Sequence, residues 1–151
     1  MAYADFAFYQ ERYFGDVLTE DNATRWLSRA SDELDALTFG RLASAFPTDE
    51  THAEKTRKAV CAAADALFSV DAQRRAASAQ KAEDGQYRGA VASVTSGKES
   101  ISYAVNGNAA TVYATAAANP AALTELLYGI AVKYLSNVPD ANGVNLLYAG
   151  V

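Results

Sequence analysis

The chain is expected to be mainly α: a small helical bundle with a β-hairpin and an extended C-terminal arm. Three observations predict this. Apolar residues recur at three- and four-residue spacing through long stretches that open on capping residues. The period shortens to two only over residues 87–105. The last nine residues, Gly143 to Val151, are apolar and carry no charged side chain. At 151 residues the chain is long enough for a core without staples, so residues 1–151 are expected to form one domain. Half of the residues are apolar, with Ala supplying much of that half, which favours close-packed helices around a modest core.

Residues 1–15 are crowded with rings: Tyr3, Phe6, Phe8, Tyr9, Tyr13 and Phe14, ended by Gly15. A short helix and an extended segment both suit them. Their rings serve either as core or, at Tyr3, Phe6, Tyr9 and Tyr13, as contacts between subunits. The helical body is expected over 19–86. Its first helix runs from Thr19 to Phe39, with Thr19 or Asp21 as N-cap and Glu20 and Asp21 at the positive end of the helix dipole. Trp26, Ala30, Leu34 and Leu37, with Leu27 beside them, share one face, and Gly40 is the expected C-cap. Pro47-Thr48-Asp49 is a turn. Thr51-His52-Ala53-Glu54 fits a capping box opening the second helix, with Ala59, Val60, Ala63, Ala64, Leu67 and Phe68 as its inner face. Val70 to Glu83 is Ala-rich and basic in places, a helix either exposed or completed by a neighbour, and Gly85 ends it.

Over 87–105, Val91, Ser93 and Thr95, then Ser100, Ile101, Ser102, Tyr103 and Val105, read as two strands about a Ser96-Gly97-Lys98 turn. A lone hairpin is marginal in water and must pack on something. Asn106-Gly107-Asn108 is a second turn, and residues 109–118 suit helix or coil alike. Asn119-Pro120 opens the last helix, 119–136, with Asn at N-cap and Pro at the first helical position. Leu123, Leu127, Ile130 and Tyr134 line its stripe. Gly129 costs this helix about 1 kcal/mol relative to Ala, a cost that close approach of another helix would explain.

Residues 137–143 break that helix and release the arm at 143–151. Burying Leu146, Leu147, Tyr148 and Val151 yields about 6–12 kcal/mol in all. Ordering nine backbones costs about 9–18 kcal/mol. Side-chain burial alone does not hold the arm; it needs backbone pairing, a partner, or many copies acting together. A last strand in the chain's own sheet is the alternative.

The net charge of −5 and a pI near 4.8 argue against a protein that neutralises phosphates, though not against a surface past which DNA slides. The lone Cys61 forms no internal disulfide, which suits a reducing cytosol; no secretory leader or membrane span is expected. P-loop, GxGxxG, HExxH, GxSxG and CxxC motifs are absent from the sequence. His52 is the single His and reads as a surface or capping residue. Asp32, Glu33 and Asp35, and Asp49 and Glu50, read as solvated faces and caps, and Glu83-Asp84-Gly85 offers too few oxygens for calcium. No catalytic, cofactor or metal residues are expected, and the chain does not read as an enzyme.

The order of its segments resembles the head–tail connector proteins of long-tailed bacteriophages, also called adaptor or head-completion proteins. The likeness rests on Tyr3-Ala4-Asp5-Phe6 through Tyr13; on Ala30-Ser31-Asp32-Glu33-Leu34-Asp35-Ala36-Leu37-Thr38-Phe39-Gly40-Arg41-Leu42; and on Lys58-Ala59-Val60-Cys61-Ala62-Ala63-Ala64-Asp65-Ala66-Leu67. It continues in Val94-Thr95-Ser96-Gly97-Lys98-Glu99-Ser100-Ile101-Ser102-Tyr103, in Lys133-Tyr134-Leu135, and in the terminal Gly143–Val151 stretch. The likeness implies a mostly helical subunit in a homo-oligomeric ring of about twelve copies under the portal at the capsid vertex. Such a ring extends the DNA channel, which DNA passes without specific binding, and gives a platform for a stopper or tail-completion protein. It implies no cofactor and no membrane, with the protein made in the bacterial cytoplasm and ending in the virion. In relatives the C-terminal arm reaches the portal, which here would dock Leu146, Leu147, Tyr148 and Val151. Residues 106–119 look like an insertion, and Ala149 stands where relatives commonly carry a basic residue, so no portal salt bridge carries over there. The alternative is a stopper or tail-terminator type of phage protein, a more β-rich class. On this view, deleting 144–151 leaves the helical fold intact and abolishes attachment.

Overall fold

Helices account for nearly all the regular structure of the computed structural model, which describes residues 2–84 and 111–148. The described residues contain six: α1 (Phe6–Glu11), α2 (Glu20–Leu37), α3 (Arg41–Ser44), α4 (Glu50–Asp84), α5 (Thr111–Ala118) and α6 (Pro120–Leu135). Among the described residues β pairing is limited to one isolated antiparallel bridge, Pro139 with Asn145. The hairpin expected over 87–105 lies outside the described residues. The chain divides into two compact units, Met1–Phe68 with Glu125–Val151, and Ser69–Thr124.

In the first unit, α2 begins where its caps predict. Asn22 in the first turn accepts a hydrogen bond from the Thr19 amide at 2.9 Å, so the side chain returns to the N-cap backbone. Its inner face is Ala23, Trp26, Leu27, Ala30, Ser31 and Leu34, all buried. The Trp26 ring meets Phe68 of α4 edge-on, 5.8 Å between centroids, and the Arg29 guanidinium covers the same indole at 4.9 Å.

The start of α4 differs from expectation by two residues. Asp49, not Thr51, is the cap: its Oδ2 accepts from the His52 amide at 3.2 Å and its carbonyl from Ala53 at 2.8 Å. The Thr51–Glu54 box does not form, because Glu54 pairs instead with Arg12 and Lys58. Those cations, Lys58 foremost, hold the Glu54 carboxyl below the usual range. The two helices expected at 51–68 and 70–83 are one continuous helix. No Gly or Pro interrupts the span, and Ala-rich sequence propagates helix without a pause. Ala53, Thr56, Ala59, Val60, Cys61, Ala63, Ala64 and Ala66 are its buried residues in the first unit.

The N-terminal rings pack on their own chain. Asp5 caps α1, its Oδ1 accepting from the Phe8 amide at 2.8 Å. Tyr9 is completely buried, and its hydroxyl makes three hydrogen bonds. It donates to Asp65 Oδ1 at 2.6 Å and accepts from the Val17 and Leu18 amides at 2.9 Å each. Gly15 permits this arrangement: a Cβ there would lie 2.1 Å from Cζ of Tyr9. Burial, reinforced by Asp65, pushes the Tyr9 hydroxyl up to about 12. Burial likewise raises the Asp65 carboxyl.

The second unit holds Ser69–Asp84 of α4, α5 and the first turn of α6. Arg74 Nε donates to the Ala117 carbonyl at 3.1 Å, and Arg75 pairs with Asp71 one turn away at 2.7 Å. Residues 111–118, equivocal from sequence, are helical. Asn119 Oδ1 accepts from the Ala121 amide at 2.9 Å with Pro120 as first helical residue, as the Asn-Pro pair predicts.

Candidate interaction site

The C-terminal segment expected to extend as an arm folds back on its own subunit. Residues 137–143 do break α6, but they turn the chain rather than release it. Asp140 and Gly143 occupy the first and last positions of a turn, with the Gly143 amide donating to the Asp140 carbonyl at 3.0 Å and Gly143 at φ +84°. The Asp140 carboxylate accepts from the Asn142 and Val144 amides at 2.8 and 3.0 Å. Two ladder bonds follow, Asp140 N to Val144 O at 2.7 Å and Leu146 N to Val138 O at 3.0 Å. The backbone pairing that side-chain burial alone could not replace is therefore supplied within the chain. Leu146 and Val138 are both completely buried.

Arg41 clamps the returning segment. Its Nη1 donates to the carbonyls of Asn145 (3.3 Å), Leu146 (3.2 Å) and Tyr148. The Ala141 amide donates to the Ala45 carbonyl at 2.9 Å, tying the turn to the end of α3. Asn145 adds two local bonds, from its Nδ2 to the Ser136 carbonyl and from the Leu147 amide to its Oδ1.

The end of α2 presents Arg41 to this task. The Gly40 amide donates to the Asp35 carbonyl at 2.8 Å and the Phe39 amide to that of Ala36 at 3.2 Å, the paired bonds of a Schellman ending. Gly40 was the expected C-cap. The left-handed residue closing the helix is instead Phe39, at φ +58°, with Gly40 also left-handed at φ +78°. A non-glycine residue there costs about 1–2 kcal/mol. The backbone strain is not offset by burial of the side chain, since Phe39 is 61% exposed. Its ring lies 5.5 Å from the Arg41 guanidinium, and the Tyr148 ring lies 5.7 Å from the same group. Tyr148 is 52% exposed. A surface cluster of two rings about one guanidinium results.

The structure thus separates the residues expected to dock a partner. Leu146 is buried inside its own subunit, Leu147 is half-buried, Tyr148 is at the surface, and Val151 lies outside the described residues. The four N-terminal rings form a different cluster. Tyr9 is wholly inside and unavailable to a neighbour. Phe6 and Tyr13 are half-buried against it, at 6.2 and 5.6 Å between ring centroids. Tyr3 stacks on Phe46 at 5.2 Å and donates its hydroxyl to Asp35 at 2.6 Å. Burial raises the Tyr3 and Tyr13 hydroxyls also. Arg41 and Phe39 escaped the sequence reading as site residues. The Asp140-x-x-Gly143 turn signature was the available signal that the chain reverses.

Cys61 is buried in α4, and burial pushes its thiol up to about 12, away from thiolate reactivity. No family model, curated protein or solved structure matches the chain.

Proposed function

We propose that this chain is a head–tail connector subunit that forms a ring under a phage portal, extends the DNA channel and offers the platform for the next head-completion or tail protein. The observation that carries the reading is the ordered set of family-like segments from Tyr3 to Val151. The helical body supports it over the stopper or tail-terminator alternative, which is richer in strand. In this reading the portal contact is the Phe39–Arg41–Tyr148 surface with the residues after Tyr148. Leu146 serves as the inward anchor that holds that surface in place. A strained, exposed aromatic is a cost that a partner can recover, because the backbone conformation is already set before binding. A net charge of −5 per copy suits a tunnel that repels phosphate and lets a genome pass.

The test is co-assembly. The purified protein is mixed with its cognate portal and viewed by electron microscopy. A ring of about twelve copies seated on the portal is expected. A chain that stays monomeric and unattached in the presence of that portal overturns the reading.

A further inference from the structure

Gly129 lies in the middle of α6 and is exposed, and a Cβ built on it would meet nothing within 4 Å. Glycine weakens a helix interior, and among the described residues no element approaches closely enough to require it. The explanation that sequence suggested, close approach of another helix, is therefore not met among the described residues. The surroundings of Gly129 point outward. Tyr128 and Val132 flank it on the same side, 43% and 42% exposed. Glu125 and Lys133 stand four residues before and four after it, both exposed. Spacing of four places all three on one face. Among the described residues neither Glu125 nor Lys133 takes an ion pair, and the Lys133 ammonium rests over the Tyr134 ring at 5.3 Å.

We infer that this face of α6 packs antiparallel on the same face of a second copy, crossing at Gly129. The face is complementary to itself. A two-fold axis at Gly129 brings Glu125 of each copy opposite Lys133 of the other, giving two ion pairs of opposite sense. It also brings Tyr128 of each copy against Val132 of the other along one edge. Gly129 allows the two backbones to approach at the crossing, where a side chain would hold them apart. Parallel packing would instead set Glu125 against Glu125 and Lys133 against Lys133, so charge selects the antiparallel arrangement. A single helix pair buries less than the about 1,200 Å² of a standard stable interface, so the dimer is weak and depends on concentration. The inference does not rest on the ring reading: a two-fold contact joins two copies and stops, whereas a ring closes head to tail.

Sedimentation equilibrium from micromolar to millimolar concentration tests it. The wild-type chain is expected to enter a monomer–dimer equilibrium. Glu125→Lys and Lys133→Glu each turn both ion pairs into repulsions and should raise the dissociation constant about tenfold or more. The double reversal, E125K with K133E, should return it to about the wild-type value. Gly129→Cys should cross-link to its own copy on mild oxidation, since Cys61 is buried and does not compete. Far-ultraviolet circular dichroism checks that each variant keeps its helices. A wild-type chain that is monomeric throughout overturns the inference. So does a dimer, or a larger oligomer, that ignores the single reversals or is not rescued by the double one.

Discussion

Arg41 and Tyr148, 107 positions apart, are joined twice: the guanidinium donates to the Tyr148 carbonyl and lies 5.7 Å from its ring. This pairing closes the first unit, because the same guanidinium also holds the carbonyls of Asn145 and Leu146. It turns a segment that looked destined for a partner into part of its own subunit.

Stability should therefore respond to the C-terminal segment. Leu146→Ala should cost about 2–5 kcal/mol, since a completely buried Leu leaves a cavity. Arg41→Ala should cost about 1–3 kcal/mol through carbonyls left without their donor. Deleting 144–151 removes Leu146 and the carbonyls that Arg41 holds, and should lower the urea midpoint of the isolated subunit. That reverses the expectation from sequence that this deletion spares the fold.

Phe39→Gly should act in the opposite direction. It relieves a left-handed φ at a position where the ring is mostly exposed, and should stabilise the subunit by about 0.5–1 kcal/mol in urea titration. If the Phe39–Arg41–Tyr148 surface docks the portal, the same variant should bind portal more weakly in a pull-down. A gain in stability with binding unchanged would remove Phe39 from the proposed contact.

Tyr9→Phe should cost about 2–3 kcal/mol, because it deprives Asp65 and two amides of one shared partner. The hydroxyl titrates near 10 when unfolded and is pushed up to about 12 in the fold. Its stabilising contribution is whole below 10 and is lost as pH climbs through 12. Wild type should lose stability over that alkaline window more steeply than the Phe variant, followed by circular dichroism. Gly15→Ala should also destabilise, by about 1–3 kcal/mol, through collision with the Tyr9 ring.

Asp65 gives an acid-side prediction. Burial raises its carboxyl in the fold above its unfolded value, so the native state binds the proton more tightly. Its contribution is whole below the ordinary carboxylate range and is lost as pH rises through the raised value. Glu54, held low by Lys58 and Arg12, contributes with the opposite sign, so the raw profile mixes both. The measurement is the difference between wild type and Asp65→Asn in urea unfolding across the acid range. Wild type should lose ground to the variant as pH rises through that window; a difference that stays flat with pH would contradict the assignment.

Much of the helical framework was legible because its causes are local. The Asn119-Pro120 start and the Thr19 cap depend on bonds spanning two to four residues. The stripe Trp26, Leu27, Ala30 and Leu34 is a matter of periodicity alone. Boundaries slipped where two local signals competed, as Asp49 did with Thr51. The site was less legible. Tyr9 and Tyr148 are the same residue type in apolar surroundings, and composition does not tell which one goes inside.

By itself the sequence determined a mainly helical chain, the Thr19 and Asn119 caps and an aromatic N-terminal segment. Tertiary structure alone decided that Tyr9 is spent on Asp65, that Phe39 takes the left-handed cap, and that the C-terminal residues return to Arg41. Caps and periodicity arise between near neighbours, where sequence and space coincide. The Arg41 contacts span 104 to 107 residues, and only the packed helices bring such distant groups within reach.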